Sequence, residues 1–144
     1  QGDPYQAQVE ATVAAVVARL AIPGLDWQTC YQSRVGPLEW IKPYEVDEIA
    51  RAGADRRPVV MGPIAFVSEH SETLVELDIE YRHVAEQAGV PAYVRVPTVD
   101  AHEAFIAGLA DLVRNALNRP AAIAPDGGQR LCPAEFGRCA LARP

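Results

Sequence analysis

A chain of 144 residues holds one domain's worth of core, and length alone argues against two. Hydrophobic residues at 49% and charged residues at 22% are ordinary globular usage, which argues against disorder. Thirteen Lys and Arg against nineteen Asp and Glu leave a formal charge of −6, so no nucleic-acid partner held by bulk electrostatics is expected. Arg51, Arg56 and Arg57 form a small basic knot without interleaved aromatics. No apolar run approaches the roughly 20 residues that span a bilayer. The chain opens at Gln1 without Met or a signal-like basic segment and reads as a piece of something longer or a processed product. Three cysteines, Cys30, Cys132 and Cys139, are too few for a disulfide scaffold, and the odd count fits a reducing compartment. The expected location is the cytoplasm.

In chain order, Pro4 to about Leu20 reads as a helix, with Val9, Val13, Val16 and Leu20 on one face. Pro23 and Gly24 end it, and Leu25 to Tyr31 has the length and aromatic content of a strand. A loop covers Gln32 to Pro43, and a short helix runs from Tyr44 to about Gly53. Pro58 to Phe66 is a continuous apolar run, as expected of a strand buried on both faces, with Pro63 ending its pairing. A helix is predicted from Ser71 to Ala88, buried through Leu74, Leu77, Tyr81 and Val84, with Gly89 just past its end. Ala92 to Val96 is a third strand, and Ala101 to Leu117 is a last helix packed through Phe105, Leu109, Leu112, Val113 and Ala116. Strand and helix alternate, which predicts an α/β domain with a parallel sheet over residues 1–118 and a Pro/Gly-rich tail over 119–144. Ligands in such sheets gather beyond the carboxyl ends of the strands.

Two segments fall there. Ser68-Glu69-His70-Ser71-Glu72 joins the apolar strand to the long helix, and Glu72, Glu76 and Glu80 follow at i, i+4 and i+8 on one face. Like charges at that spacing cost a helix about 0.2–0.5 kcal/mol per pair, and no Lys or Arg lies three or four positions from any of them. An uncompensated acidic row beside a His suits a divalent cation or proton traffic. A solvated acidic face whose first members favour the helix N-terminus is the plainer alternative. The second segment, Tyr31 to Trp40, sets Gln32, Ser33, Arg34 and Trp40 beyond a strand end. Arg34 could meet a carboxylate and Trp40 could cover an apolar planar ligand, or Trp40 could simply fill the core. Cys132 and Cys139 read as free thiols of the tail, since two thiolates do not complete a four-ligand metal site. His83 reads as a surface residue and His102 as lying near the start of the last helix. Glycine motifs for dinucleotides and P-loops, and the GxSxG of hydrolases, are absent from the sequence.

Gly2-Asp3-Pro4-Tyr5, Tyr31-Gln32-Ser33-Arg34-Val35-Gly36-Pro37 with Trp40, Pro63 to Leu74, and Glu76-Leu77-Asp78-Ile79-Glu80-Tyr81 resemble ferrochelatase, in order, from Gly2 to about Leu117. The Gln-Ser-Arg-Val-Gly-Pro form is similar to the branch that uses protoporphyrin. The resemblance implies one half of a two-domain, Rossmann-like, three-layer chelatase fold that inserts ferrous iron into protoporphyrin IX. It implies Glu72 as the metal-binding carboxylate with His70 beside it, and Glu76 and Glu80 as a row leading metal or protons. Gln32, Ser33, Arg34 and Trp40 would flank the macrocycle.

The family's Ser-Ala-His-Ser-Leu-Pro segment, with its expected catalytic His, would precede Gln1, so the isolated chain is expected to be inactive without its amino-terminal domain. Iron is a substrate, no cofactor is required, and no iron–sulfur cluster is expected from Cys132 and Cys139 alone. The inner membrane surface is the place where an apolar porphyrin would be collected. Alternatives are a non-catalytic porphyrin- or haem-binding domain built on the Trp40 loop and a flavodoxin-like module for another small ligand.

Overall fold

In this computed structural model the described residues are 2–32, 39–119 and 123–142. They form helix α1 (Tyr5–Leu20), α2 (Glu45–Ala54), strand β1 (Val59–Met61), a π-helical stretch (Glu72–Glu80) running into α3 (Tyr81–Gln87), strand β2 (Tyr93–Arg95) and α4 (Glu103–Leu117). Two units can be distinguished, Gln1–Thr12 with Val99–Pro144, and Val13–Thr98.

The larger unit is an α/β assembly on a parallel sheet. β1 pairs with β2 in the register Val59↔Tyr93, Val60↔Val94 and Met61↔Arg95. Because side chains alternate along a strand, Met61 and Tyr93 face the core while Val60 and Val94 face away. Ile49 of α2, Leu77 of the π stretch and Ala85 of α3 close over them, with Val59, Tyr81, Val84, Ala88 and Val90 packed against this cluster. Gly53 lets α2 and α3 approach closely, since a Cβ there would lie 2.1 Å from the Ala88 carbonyl oxygen. α3 ends as expected. Gly89 takes φ +78°, its N–H donates to Glu86 O, and Val90 N–H donates to Ala85 O, a left-handed cap that satisfies the last carbonyls. α2 ends the same way but with Arg56 at φ 52°.

Several expectations are corrected. Leu25 to Thr29 do not form a strand; only Tyr31 pairs, through a single parallel bridge to Tyr44. Tyr31 N–H donates to Pro43 O at 3.0 Å and the Tyr31 carbonyl accepts from Glu45 N–H at 3.4 Å, but Pro43 itself has no N–H to extend the ladder. The apolar run at 58–66 is a strand only through Met61 and is covered on one face, with Val60 71% exposed. Gly62 and Pro63 stop it there, as the proline suggested.

The helix at 71–88 is present, but its first part is π-helical: Tyr81 N–H donates to Glu76 O, five residues back. The wider turn rotates the buried side, so Thr73 and Leu77 are buried and Leu74 is 48% exposed.

In the smaller unit, Asp3 Oδ1 accepts from Tyr5 N–H at 2.9 Å to start α1, and His102 Nδ1 accepts from Ala104 N–H at 3.3 Å to start α4. α4 has the predicted apolar side chains, but none is buried; Phe105 is half-buried, and Leu109, Leu112, Val113 and Ala116 are exposed. Periodicity defines a face, and only an opposing layer buries it. Residues 123–142 form turns held by Arg119, which donates to Pro125 O and Asp126 O, and by Arg130, which donates to Pro133 O and Phe136 O. No helix among the described residues is long and apolar enough to cross a membrane.

Candidate functional site

The chemistry gathers around the turn that leads from β1 into the π stretch. His70 O accepts from Thr73 N–H at 3.1 Å and Leu74 N–H at 2.8 Å. The Thr73 hydroxyl, fully buried, bonds both the His70 N–H and the His70 carbonyl at 3.0 Å. The His70 ring lies edge-on to Phe66, with centroids 4.6 Å apart. Its Nδ1 accepts from Glu72 N–H at 3.2 Å, which places the neutral ring's proton on Nε2. His70 thus acts as an orienting cap for Glu72 and offers an N–H outward while that bond stands.

Glu72 and Glu76 are half-buried and Glu80 is exposed, so the acidic row runs from the interior to solvent. A turn closed by an i→i+5 bond takes more than four residues, against 3.6 in an α-helix, so side chains four apart stay on one face along the whole stretch. Gln32 reaches this row across 40 residues of sequence. Its Nε2 donates to Glu76 Oε2 at 2.8 Å and to the Glu72 carbonyl at 3.2 Å. Gln32 therefore joins the segment after Tyr31 to the acidic helix. Trp40 is half-buried on the same loop, while Ser33 and Arg34 lie outside the described residues.

Two groups that the sequence reading passed over complete the surroundings. Glu45, the first residue of α2, is only 7% exposed, and its Oε2 is buried without a hydrogen-bond partner among the described residues. Burial, and then the nearby Glu76 carboxylate, push its carboxyl up to about 7. Its position beside the strand-like Tyr31 is the tertiary fact that sequence could not supply, since helix N-termini ordinarily expose their acids. The second is Arg95, on β2. Its buried guanidinium takes Asp78 through Nε at 2.9 Å and Glu69 through Nη1 at 2.6 Å. Glu69 also accepts from Thr98 N–H at 2.9 Å. The Thr73 hydroxyl, the Thr98 N–H and Arg95 together hold the Glu69 carboxyl down at about 2. The signal for this clamp was present in the sequence as the one Arg of a short apolar strand.

Among the described residues no three of His, Cys, Asp and Glu converge to hold a metal ion. Cys30 is half-buried, and burial with Glu45 and Glu48 pushes its thiol up to about 12, which leaves it inert. Cys132 and Cys139, in the smaller unit, are free thiols. The backbone N–H of Leu141 holds Cys139 low, while burial raises Cys132. His83 is exposed, as expected. Two members of the basic knot are paired locally, Arg51 with Glu48, Asp26 and Asp55 and Arg57 with Asp26.

The family model for ferrochelatase matches residues 1–117. Ferrochelatase of Phenylobacterium zucineum is 54% identical over 139 residues, covering 96% of this chain and 40% of that protein. Ferrochelatase of Caulobacter vibrioides is 52% identical with the same coverage. Ferrochelatase of Rickettsia bellii is 47% identical over 141 residues, again 96% of this chain and 40% of the relative. The chain thus spans about 40% of the length of these relatives. With the motif order, the α/β fold and the acidic row beside Gln32 all in place, the chain belongs to the ferrochelatase family.

Proposed function

We propose that this chain forms one wall of the site at which a ferrochelatase inserts ferrous iron into protoporphyrin IX, giving protohaem. The observation that carries the reading is the pair of hydrogen bonds from Gln32 to the Glu76 carboxylate and the Glu72 carbonyl, which joins the loop expected at the macrocycle to the expected metal path. The reaction takes in Fe²⁺ and releases the two pyrrole N–H protons, with no change in oxidation state. Glu72 holds the ion by one edge as it loses water. Glu76 and Glu80 carry protons outward along a face that grades from half-buried to exposed. His70 fixes the Glu72 backbone through Nδ1, which leaves Nε2 free of that bond. Gln32 keeps Glu76 in line, and Trp40, with Ser33 and Arg34, flanks the ring. A macrocycle gripped on two faces can be bound in a puckered form that exposes its nitrogen lone pairs, which lowers the barrier. The facing wall and the expected catalytic His belong to the amino-terminal part of the protein.

No resident cofactor is required in this reading, an iron–sulfur cluster included; acid-labile sulfide in the purified protein would overturn that part. The protein works in the cytoplasm with peripheral contact at the inner membrane, where an apolar porphyrin partitions.

Zinc insertion into protoporphyrin, followed by porphyrin absorbance, tests the reading on this chain alone and on the chain joined to its natural upstream sequence. Activity in the joined form only, lost in Glu72→Ala with porphyrin binding retained, is the expected result. Porphyrin binding without insertion in either form would turn the assignment into a non-catalytic porphyrin-binding domain.

A further inference from the structure

Arg95 reaches the acidic helix from the neighbouring strand and grips it at two points nine residues apart, Glu69 before the π stretch and Asp78 within it. Its side chain is 8% exposed, while those of Glu69 and Asp78 are 29% and 28% exposed, so the guanidinium is the shielded end of both ion pairs. Tyr93, two residues earlier and on the same side of β2, adds a hydroxyl bond to the Leu77 carbonyl at 3.0 Å. The spacing matters because a π turn holds one more residue than an α turn. Relaxing the stretch to α-helix would carry Asp78 about 100° around the axis and 1.5 Å along it relative to Glu69. The planar fork of Arg95 could not then meet Asp78 with both Nε and Nη2 while keeping Glu69 on Nη1.

The Glu69 end bears on the site directly. Glu69 precedes His70, and the bonds from Thr98 N–H and Arg95 anchor it from the far side of the turn. With Glu69 anchored, the Thr73 hydroxyl closes the turn on His70, and His70 Nδ1 takes the Glu72 N–H. A chain of named contacts thus runs from Arg95 to the backbone of Glu72.

We infer that Arg95 is a positioning residue for metal capture: it locks the π register of Glu72–Glu80 and so sets the Glu72 carboxylate toward the incoming ion. It touches neither metal nor porphyrin in this role. The inference deepens the proposed function and rests on Glu72 as the metal-holding carboxylate.

The test uses the chain joined to its natural upstream sequence, with zinc as the metal. Arg95→Gln, Arg95→Lys and Asp78→Asn are compared with wild type for kcat, for KM of zinc and KM of protoporphyrin separately, and for zinc affinity by titration calorimetry. Near-UV circular dichroism identifies folded variants, and Asp78→Asn carries the test if Arg95→Gln does not fold. Groups that orient a metal ligand through hydrogen bonds typically change metal affinity by about 10–100-fold when removed. The zinc KM is therefore expected to rise at least about tenfold in Arg95→Gln while the porphyrin KM stays within about twofold. Arg95→Lys, which keeps the charge and loses the fork, falls between. In a Glu72→Ala background Arg95→Gln should add no further loss of zinc affinity, because the residue acts through Glu72. A merely structural role would instead give losses that multiply across the two variants, or equal changes in both KM values, and either result overturns the inference. If Glu72→Ala leaves zinc handling unchanged, the proposed function itself is overturned. If Glu72→Ala abolishes it and Arg95→Gln leaves zinc KM unmoved, only the role of Arg95 is.

Discussion

Replacing Glu45 by Gln isolates the energetic cost of a buried acid beside the acidic row. Glu45 begins α2, where the helix dipole favours a negative charge by about 0.3–1 kcal/mol. Burial acts in the opposite sense and wins. The residue is 7% exposed, one carboxyl oxygen has no partner among the described residues, and the Glu76 carboxylate stands near. The carboxyl is pushed from its ordinary 4.5 to about 7. At about 1.4 kcal/mol per pKa unit, that difference is worth about 3 kcal/mol.

The sign follows from proton uptake on folding. A carboxyl with a higher pKa in the folded state binds its proton more tightly there, so its contribution is full below 4.5 and is lost as pH rises toward about 7. Gln carries no charge at any of these pH values. Urea unfolding of wild type and Glu45→Gln, at pH values from 4.5 to 8, reads the difference directly, and groups that titrate in both proteins cancel. The stability of Glu45→Gln relative to wild type should grow by about 3 kcal/mol from the acid to the alkaline end, with the change confined to the window between 4.5 and about 7. A constant gap across the series would show that Glu45 is solvated or paired, and the reasoning from burial would fail.

Three further outcomes follow from particular contacts. Gly53→Ala places a methyl group 2.1 Å from the Ala88 carbonyl oxygen and 2.9 Å from its Cβ, so α2 and α3 must separate; thermal unfolding should record a loss of about 1–3 kcal/mol. Arg56→Gly should stabilise by about 1 kcal/mol in the same assay, because Arg56 ends α2 at φ 52°, where a side chain is strained and glycine is not. A destabilised variant would mean that the Arg56 side chain contributes more than its backbone costs. The third concerns acid. Glu69, held down at about 2, contributes stability above 4.5 that is lost as pH falls toward about 2. Glu69→Gln should therefore flatten the acid limb of the unfolding curve in that window, and an unchanged limb would refute the clamp's electrostatic role.

What the sequence determined by itself was the local code. Proline and glycine marked the ends of α1, α3 and β1, and Gly89 occupies the left-handed position its sequence context predicted. The parallel α/β class and the position of α4 were legible in apolar periodicity. The motif order, from Tyr31-Gln32 to the Glu72-Glu76-Glu80 row, was enough to identify the family. Pairing was not legible. Leu25 to Thr29 have strand composition but gain no ladder, because a strand exists only where another backbone presents N–H and C=O groups to it. Burial was likewise undecided: Val60, Leu74 and the face of α4 are apolar and exposed, since apolarity states a preference that only a facing layer can satisfy.

The π stretch could not be seen either, because residues four apart share a face in both kinds of helix. The register is settled by contacts from β2, the Tyr93 hydroxyl on Leu77 and Arg95 on Asp78. Gln32 on Glu76 and Glu45 beneath it are of the same kind. These hydrogen bonds span 16 to 44 residues of sequence, and their energy arises only when folding removes both partners from water together.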